Sequence, residues 1–349
     1  MKAAAPHRAD ALDCDALAAW LADIGAGAGD IREVRVLTGG TQNLILRFSF
    51  DNRNLVLRSP PVGSAAAAKL VAREAKVLSA LAGSDVPHPR FVGFSEDTAI
   101  IGGPFVVTDE VDGFNAVEEM PGAAGTSPEY RHAMGLALVD GIAAIAQVPP
   151  DGRLEGLGRL DGYLERQVER WASQLEGYAQ YDGWPGPAEL GPVDRIGRWL
   201  DDHLPDDFKP GLMHGDYHVA NVLYRRDAPG LAAILDWEMA TLGDPLLDLA
   251  RLTTAWPDAN NIGLLSLKVE PWDGWPSAIQ LVDRYAERTG RSMDALPWFE
   301  VLACYKFALI LEGTYARACS GLAEMTVARR LHASAVGLIA RAAATVGAN

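Results

Sequence analysis

His214-Gly215-Asp216-Tyr217-His218-Val219-Ala220-Asn221 is followed, fifteen residues past its asparagine, by Asp236 in Ile234-Leu235-Asp236-Trp237-Glu238. The reading of the chain turns on these two segments. An aspartate, an asparagine five positions on and a second aspartate are hard oxygen donors, the ligand type that magnesium prefers. His214 and His218 share a four-residue spacing, but no H-E-x-x-H pattern or cysteine accompanies them, so a zinc site is set aside. An isolated His-Gly-Asp would be an ordinary turn. The register between the two segments carries the signal.

Working outward, the chain changes character near Gly113. Apolar residues at Leu12, Leu17, Trp20, Leu21 and Ile24 give helical spacing over 11–24. Strands are expected at 33–37, 43–50 and 54–58, with Asp51-Asn52 as the turn of a hairpin. The Ala-, Leu-, Lys- and Glu-rich run 65–81 predicts a helix. Two more strands are expected at 90–94 and 104–110. Beyond this, helices are expected at 130–147, 160–178, 192–203, 278–289, 298–320 and 326–346, interrupted by a β-like region at 212–234. A β-rich part followed by a helical part is an α+β signature, not βαβ alternation.

Composition narrows the function classes. The 349 residues carry a formal charge of −15, which argues against a nucleic-acid partner. The three cysteines, Cys14, Cys304 and Cys319, have no CxxC spacing and suggest no disulfide framework. A cytoplasmic location is expected. No apolar h-region stands at the N-terminus and no run approaches a membrane span, so no membrane partner is expected. The apolar run 301–311 is broken by Lys306. No G-x-x-x-x-G-K-[ST] motif occurs, and Gly25-Ala26-Gly27-Ala28-Gly29-Asp30 precedes a strand, which makes it a linker and not a dinucleotide fingerprint.

Phosphoryl transfer from a nucleotide needs a carboxylate to orient the attacking hydroxyl and oxygen ligands for the Mg²⁺ that bridges the phosphates. Asp216 and Asn221 have the spacing of a kinase catalytic loop, and Asp236 stands where the metal-binding aspartate follows it. The second segment runs on as Leu235-Asp236-Trp237-Glu238-Met239-Ala240-Thr241-Leu242-Gly243-Asp244-Pro245-Leu246-Leu247-Asp248-Leu249-Ala250. These residues resemble the aminoglycoside phosphotransferase and choline-kinase-like family of small-molecule kinases. The resemblance implies a two-lobed, protein-kinase-like fold with a small β-rich N-lobe and a larger, mainly helical C-lobe. It implies Asp216 as catalytic base, Asn221 and Asp236 as Mg²⁺ ligands, and Asp248 as a brace of the catalytic loop. Asp244, in Gly-Asp-Pro, reads as a structural turn residue.

The same resemblance organises the rest. Residues 1–108 would form the nucleotide-binding lobe, with 1–30 a helical extension, 109–114 the hinge, and 115–349 the helical lobe. Gly39, Gly40 and Thr41 would approach the nucleotide phosphates through a partly matching glycine turn. Arg58, in Val56-Leu57-Arg58-Ser59-Pro60-Pro61, stands where kinases place lysine, and Glu74 on the following helix would pair with it. Asp109, Glu110 and Val111 of the hinge would meet the purine of ATP, with GTP left open. The segments 163–171 and 305–317 resemble the kinase-like domain attached to some acyl-CoA dehydrogenases, a subgroup linked to hydroxyacyl-CoA phosphorylation. Arg166, Arg170 and Arg317 within them read as surface pairs before anion ligands. The expected activity is ATP-dependent phosphorylation of a small-molecule hydroxyl, a hydroxyacyl-CoA before an aminoglycoside or amino alcohol, by a monomer or homodimer. The alternative is a nucleotide-binding regulator of the same fold. A protein kinase is disfavoured, because Gly243-Asp244-Pro245 leaves little room for a peptide-docking segment.

Overall fold

Alternation of apolar and polar residues builds the first sheet. The computed structural model describes residues 12–37, 43–61, 64–257 and 269–348. Five antiparallel strands, β1 (Arg32–Val36), β2 (Leu44–Phe50), β3 (Arg53–Ser59), β4 (Phe91–Ser95) and β5 (Phe105–Asp109), lie in the order β1-β2-β3-β5-β4. Asp51 and Asn52 both have positive φ, 47° and 59°, as a two-residue hairpin of matching twist requires. That turn fixes the register that sets Leu46 against Leu57 and Phe48 against Leu55. These four side chains are fully buried, with Phe105, Val107 and, from the helix Cys14–Asp23, Leu17 and Leu21. Asp13 caps that helix by accepting from the Ala16 N–H.

By internal contacts the chain divides into two units. The first comprises 1–114, 150–157 and 221–240; the second comprises 115–149, 158–220 and 241–349. The first unit holds the sheet, the helix Ala65–Ala80, and a hairpin of β7 (Val222–Tyr224) and β8 (Leu231–Ile234). The second holds β6 (Gly211–Met213), paired with β9 (Thr241–Gly243), and the helices Pro128–Ala146, Gln167–Glu176, Val193–Asp202, Leu246–Ala255, Ala278–Thr289, Leu296–Cys319 and Met325–Ala348. Among the described residues no helix is long and apolar enough to cross a membrane.

Two helical readings need correction. The expected helix over 160–178 begins only at Gln167. Gly162 turns left-handed at φ 57°, and the Arg166 guanidinium donates back to the carbonyls of Arg159 and Asp161, which closes a turn there instead. The helix Leu246–Ala255 went unread because nine of its ten residues are buried, so it has no polar face to give a period.

Candidate active site

In the first unit the site is built around Arg58. Position 58 lies on β3, between β2 and β5. Glu74 is brought to it by the inward face of the helix Ala65–Ala80, which also buries Val71, Ala75 and Leu78. Arg58 Nη1 lies 3.1 Å from Glu74 Oε2 and 2.9 Å from Asp236 Oδ1. Its Nη2 donates to Glu238 Oε2 at 2.6 Å. The Asn43 amide oxygen accepts from Nη2 and Nε at 2.8 and 2.9 Å. The fork of the guanidinium thus meets three carboxylates and one amide, a geometry open to Arg and closed to Lys. Burial favours the neutral acid at Glu74, and the charges of Asp236 and Glu238 add to it; despite Arg58, its carboxyl is pushed up to about 7. Burial works against the charge on Arg58 too, but the three carboxylates outweigh it and raise its affinity for the proton.

The β7–β8 hairpin places the two expected metal ligands. Val222 pairs with Ile234, and the Leu235 N–H donates to the Asn221 carbonyl at 2.8 Å. Asn221 enters the hairpin where Asp236 leaves it. Asp236 sits at φ 65°, ψ 58°, the left-handed region that costs a side-chain-bearing residue on the order of 1 kcal/mol or more. Its buried Oδ1 faces Arg58 Nη1. No cluster of three His, Cys, Asp or Glu suited to a metal occurs among the described residues. Two protein oxygens completed by waters and phosphates are, however, the usual complement of Mg²⁺.

The other expected nucleotide contacts fall elsewhere. Gly39, Gly40 and Thr41 lie outside the described residues. Asp109, Glu110 and Val111 line a polar cavity of about 650 Å³ with Arg53, Asn54 and Arg226; Arg58 is not in its wall. The Asp109 side chain pairs with Arg53 and Arg90, and that of Glu110 with Arg47. The N–H groups of Asp109 and Glu110 are spent on the carbonyls of Arg90 and Asn54. Among the described residues none accepts from the Val111 N–H.

In the second unit the segment after β6 carries Asp216. Gly215 adopts φ 88°, which explains glycine at that position. Asp248 accepts from the N–H of His214 at 2.6 Å and of Gly215 at 2.9 Å, the brace expected of it. Asp244 is fully buried, accepts from the N–H of Lys209 and Leu246, and pairs with Arg291, as a structural residue should. Arg251 reaches Asp216 Oδ1 through Nε at 3.2 Å and Nη2 at 3.1 Å. His218 Nδ1 accepts from the Ala220 N–H, so a neutral ring carries its proton on Nε2, 3.5 Å from Asp216 Oδ2. Burial alone would raise the Asp216 carboxyl, but His218, Arg251 and His214 hold it well below the usual range. Lys306 donates to the Gly215 carbonyl at 3.2 Å, and burial lowers its ammonium to about 8.

Arg251, Lys306 and Glu238 were given no role from sequence. A signal existed for the first two: a lone cation inside an apolar helical run must find a partner. Among the described residues, Arg166 and Arg317 hydrogen-bond to positions close in sequence, and Arg170 lies over the Trp171 ring at 4.8 Å. A narrow, mainly apolar cleft in the same unit is lined by His218, Val219, Leu252, Trp256, Val269 and Trp272 among others.

A family model described as the phosphotransferase enzyme family matches residues 33–281. Mouse acyl-CoA dehydrogenase family member 10 is 28% identical over 328 residues, covering 92% of this chain and 30% of its own. Chicken acyl-CoA dehydrogenase family member 11 is 32% identical over 304 residues, covering 83% and 37%. The chain therefore spans well under half the length of these relatives. Among solved structures, a candidate aminoglycoside phosphotransferase from Ralstonia eutropha superposes with a TM-score of 0.80 at 26% identity, over 96% of this chain and 98% of that one. The GDP complex of aminoglycoside 2′-phosphotransferase-IIIa gives 0.61 at 18% identity, over 90% and 93%, a likeness of fold alone. The α+β, protein-kinase-like architecture expected from sequence is thereby met.

Proposed function

Since the chain belongs to the phosphotransferase enzyme family, we propose that its donor is Mg²⁺-bound ATP and its acceptor the hydroxyl of a hydroxyacyl thioester. It is a phosphotransferase with an alcohol group as acceptor. The observation that carries the finer reading is the Arg58 cage. One guanidinium facing three carboxylates leaves an excess of negative charge around Asp236. Such a place suits a divalent cation held by Asp236 and Asn221. When bound, Mg²⁺ would neutralise the charge of the phosphates.

The residues divide the remaining work. Arg58 grips phosphate, its fork held by Glu74 and Glu238. The Val111 N–H serves the purine; Asp109 and Glu110, whose side chains and N–H groups are engaged, contribute backbone shape. Asp216 stays ionised and receives the acceptor hydroxyl. As the new P–O bond forms and the bond to ADP breaks, the hydroxyl proton passes to the Asp216 carboxylate. A carboxylate this acidic is a weak base, so its main contribution is orientation, which suits a loose transition state in which the proton leaves late. Structures with kanamycin and hygromycin B bound are known for the aminoglycoside enzymes. For this chain the acyl-CoA dehydrogenase relatives favour an acyl chain over a polycation.

The test is ADP release from Mg-ATP across a panel of hydroxyacyl-CoAs, aminoglycosides and amino alcohols. Turnover should appear with a hydroxyacyl-CoA and fall about 10²–10⁴-fold in Asp216→Ala, with ATP binding retained. Full turnover in that variant would refute the role of Asp216. A hit confined to aminoglycosides would refute the acceptor.

A further inference from the structure

Resting on the reading of the acceptor as a hydroxyacyl thioester, we propose that Arg170 is a specificity-determining residue of the acceptor site: it receives an oxyanion, phosphate or carboxylate, that the acceptor carries apart from its hydroxyl. Arg170 is exposed on the helix Gln167–Glu176. From sequence it was expected to form a surface pair. Among the described residues its side chain makes no ion pair and no hydrogen bond. Its guanidinium lies over the Trp171 ring at 4.8 Å instead. An aromatic face holds a cation in place without cancelling its charge.

What stands behind Arg170 makes the place cationic. Lys306 Nζ lies 5.6 Å from the same Trp171 ring and 4.9 Å from the Phe307 ring, and it donates to the Gly215 carbonyl at 3.2 Å. The Arg251 guanidinium lies over Phe307 at 4.3 Å and pairs with Asp216. Two rings thus carry three cations in a row, from the exposed Arg170 to the turn that bears Asp216. The segments 163–171 and 305–317, singled out in the sequence, meet in this row: Trp171 comes from one, Lys306 and Phe307 from the other.

The charge balance decides what the row suits. The groups that act most on Lys306 are Asp248, Asp216, Arg170 and Arg251. With Lys306 itself, three cations face two carboxylates, in a chain whose net charge is −15. Both carboxylates are engaged, Asp248 by the His214 and Gly215 N–H groups and Asp216 by Arg251. The surplus of positive charge therefore falls to the exposed end of the row. An anionic group arriving there is attracted and relieves the mutual repulsion of the cations; a polycation adds to it. Arginine also offers a planar fork that matches phosphate or carboxylate.

The experiment measures by calorimetry the binding of three probes to the whole chain without ATP: hydroxydecanoyl-CoA, the uncharged hydroxydecanoyl-pantetheine thioester, and hydroxydecanoate. Wild type is compared with Arg170→Gln and Arg170→Lys, each checked for an unchanged melting curve. Arg170→Gln should weaken a charged probe about 10-fold and leave the pantetheine thioester unchanged. Arg170→Lys should recover most of the loss, and added salt should erode the difference between wild type and Arg170→Gln. An effect on the CoA thioester alone assigns the anion to its phosphates; an effect on hydroxydecanoate assigns it to a carboxylate. Equal affinity of wild type and Arg170→Gln for both charged probes would overturn the proposal, as would a failure of either charged probe to bind. An equal loss for the uncharged thioester would show a packing role in place of charge recognition and would overturn it too. Binding needs no phosphoryl transfer, so the underlying reading fails separately, by full turnover in Asp216→Ala.

Discussion

Replacing Asp248 with Asn is the sharpest structural perturbation available in the second unit. Asp248 is 1% exposed and spends both oxygens on backbone, Oδ2 on the His214 N–H and Oδ1 on the Gly215 N–H. Asn has nearly the same shape, so no cavity is created. It offers one acceptor, however, and turns an NH₂ toward the other N–H. One buried donor then loses its partner, which costs about 1–3 kcal/mol. The surviving bond becomes neutral, at about half its charge-assisted strength. Lys306 also loses a compensating charge in its buried surroundings. Together these give a loss of about 3 kcal/mol, read as a lower urea midpoint at unchanged slope. The turn that carries Asp216 should loosen as well, so kcat should fall more than KM for ATP rises. A stability loss under about 1 kcal/mol with normal kcat would refute the claim that two charge-assisted bonds hold this turn.

Two further expectations follow from buried charge. Arg58→Lys keeps the charge but not the fork, so contacts to Glu238 and Asn43 are lost; urea unfolding should show a loss of about 2 kcal/mol, and unaltered stability would contradict the cage. Lys306 titrates near 8 when folded, against about 10.4 when unfolded, so between those values the unfolded chain binds more protons and this residue makes stability rise with pH, by at most about 1.4 kcal/mol per unit. Comparing urea midpoints from pH 7.5 to 10.5 in wild type and Lys306→Met isolates that contribution, and parallel curves would count against it.

What could be read in advance follows physical period. The β2–β3 hairpin was legible because one face is buried and the other is not, and because Asp51-Asn52 tolerates positive φ. Asp216, Asn221 and Asp236 were singled out as candidates by their spacing along the chain. Their neighbours were not. Glu238 reaches Arg58 across 180 residues of sequence, and Arg251 reaches Asp216 across 35. Such pairings are fixed by packing, which leaves no local pattern. The helix Leu246–Ala255 was hidden for the opposite reason, since burial on every side erases the polar stripe that would have announced it.

The contact division of the chain bears on how it is made. Residues 221–240 belong with 1–114 and 150–157, so the first unit is finished only after the part of the second up to Ala220 has been synthesised. At ribosomal speed, on the order of ten seconds separates the emergence of Phe114 from that of Ala240. Throughout that interval the nascent sheet holds Arg58 with Glu74 as its one carboxylate partner of the eventual three. The last strands to leave the ribosome for this unit are those that deliver Asn221 and Asp236, so the residues proposed to hold Mg²⁺ arrive later than the framework that receives them.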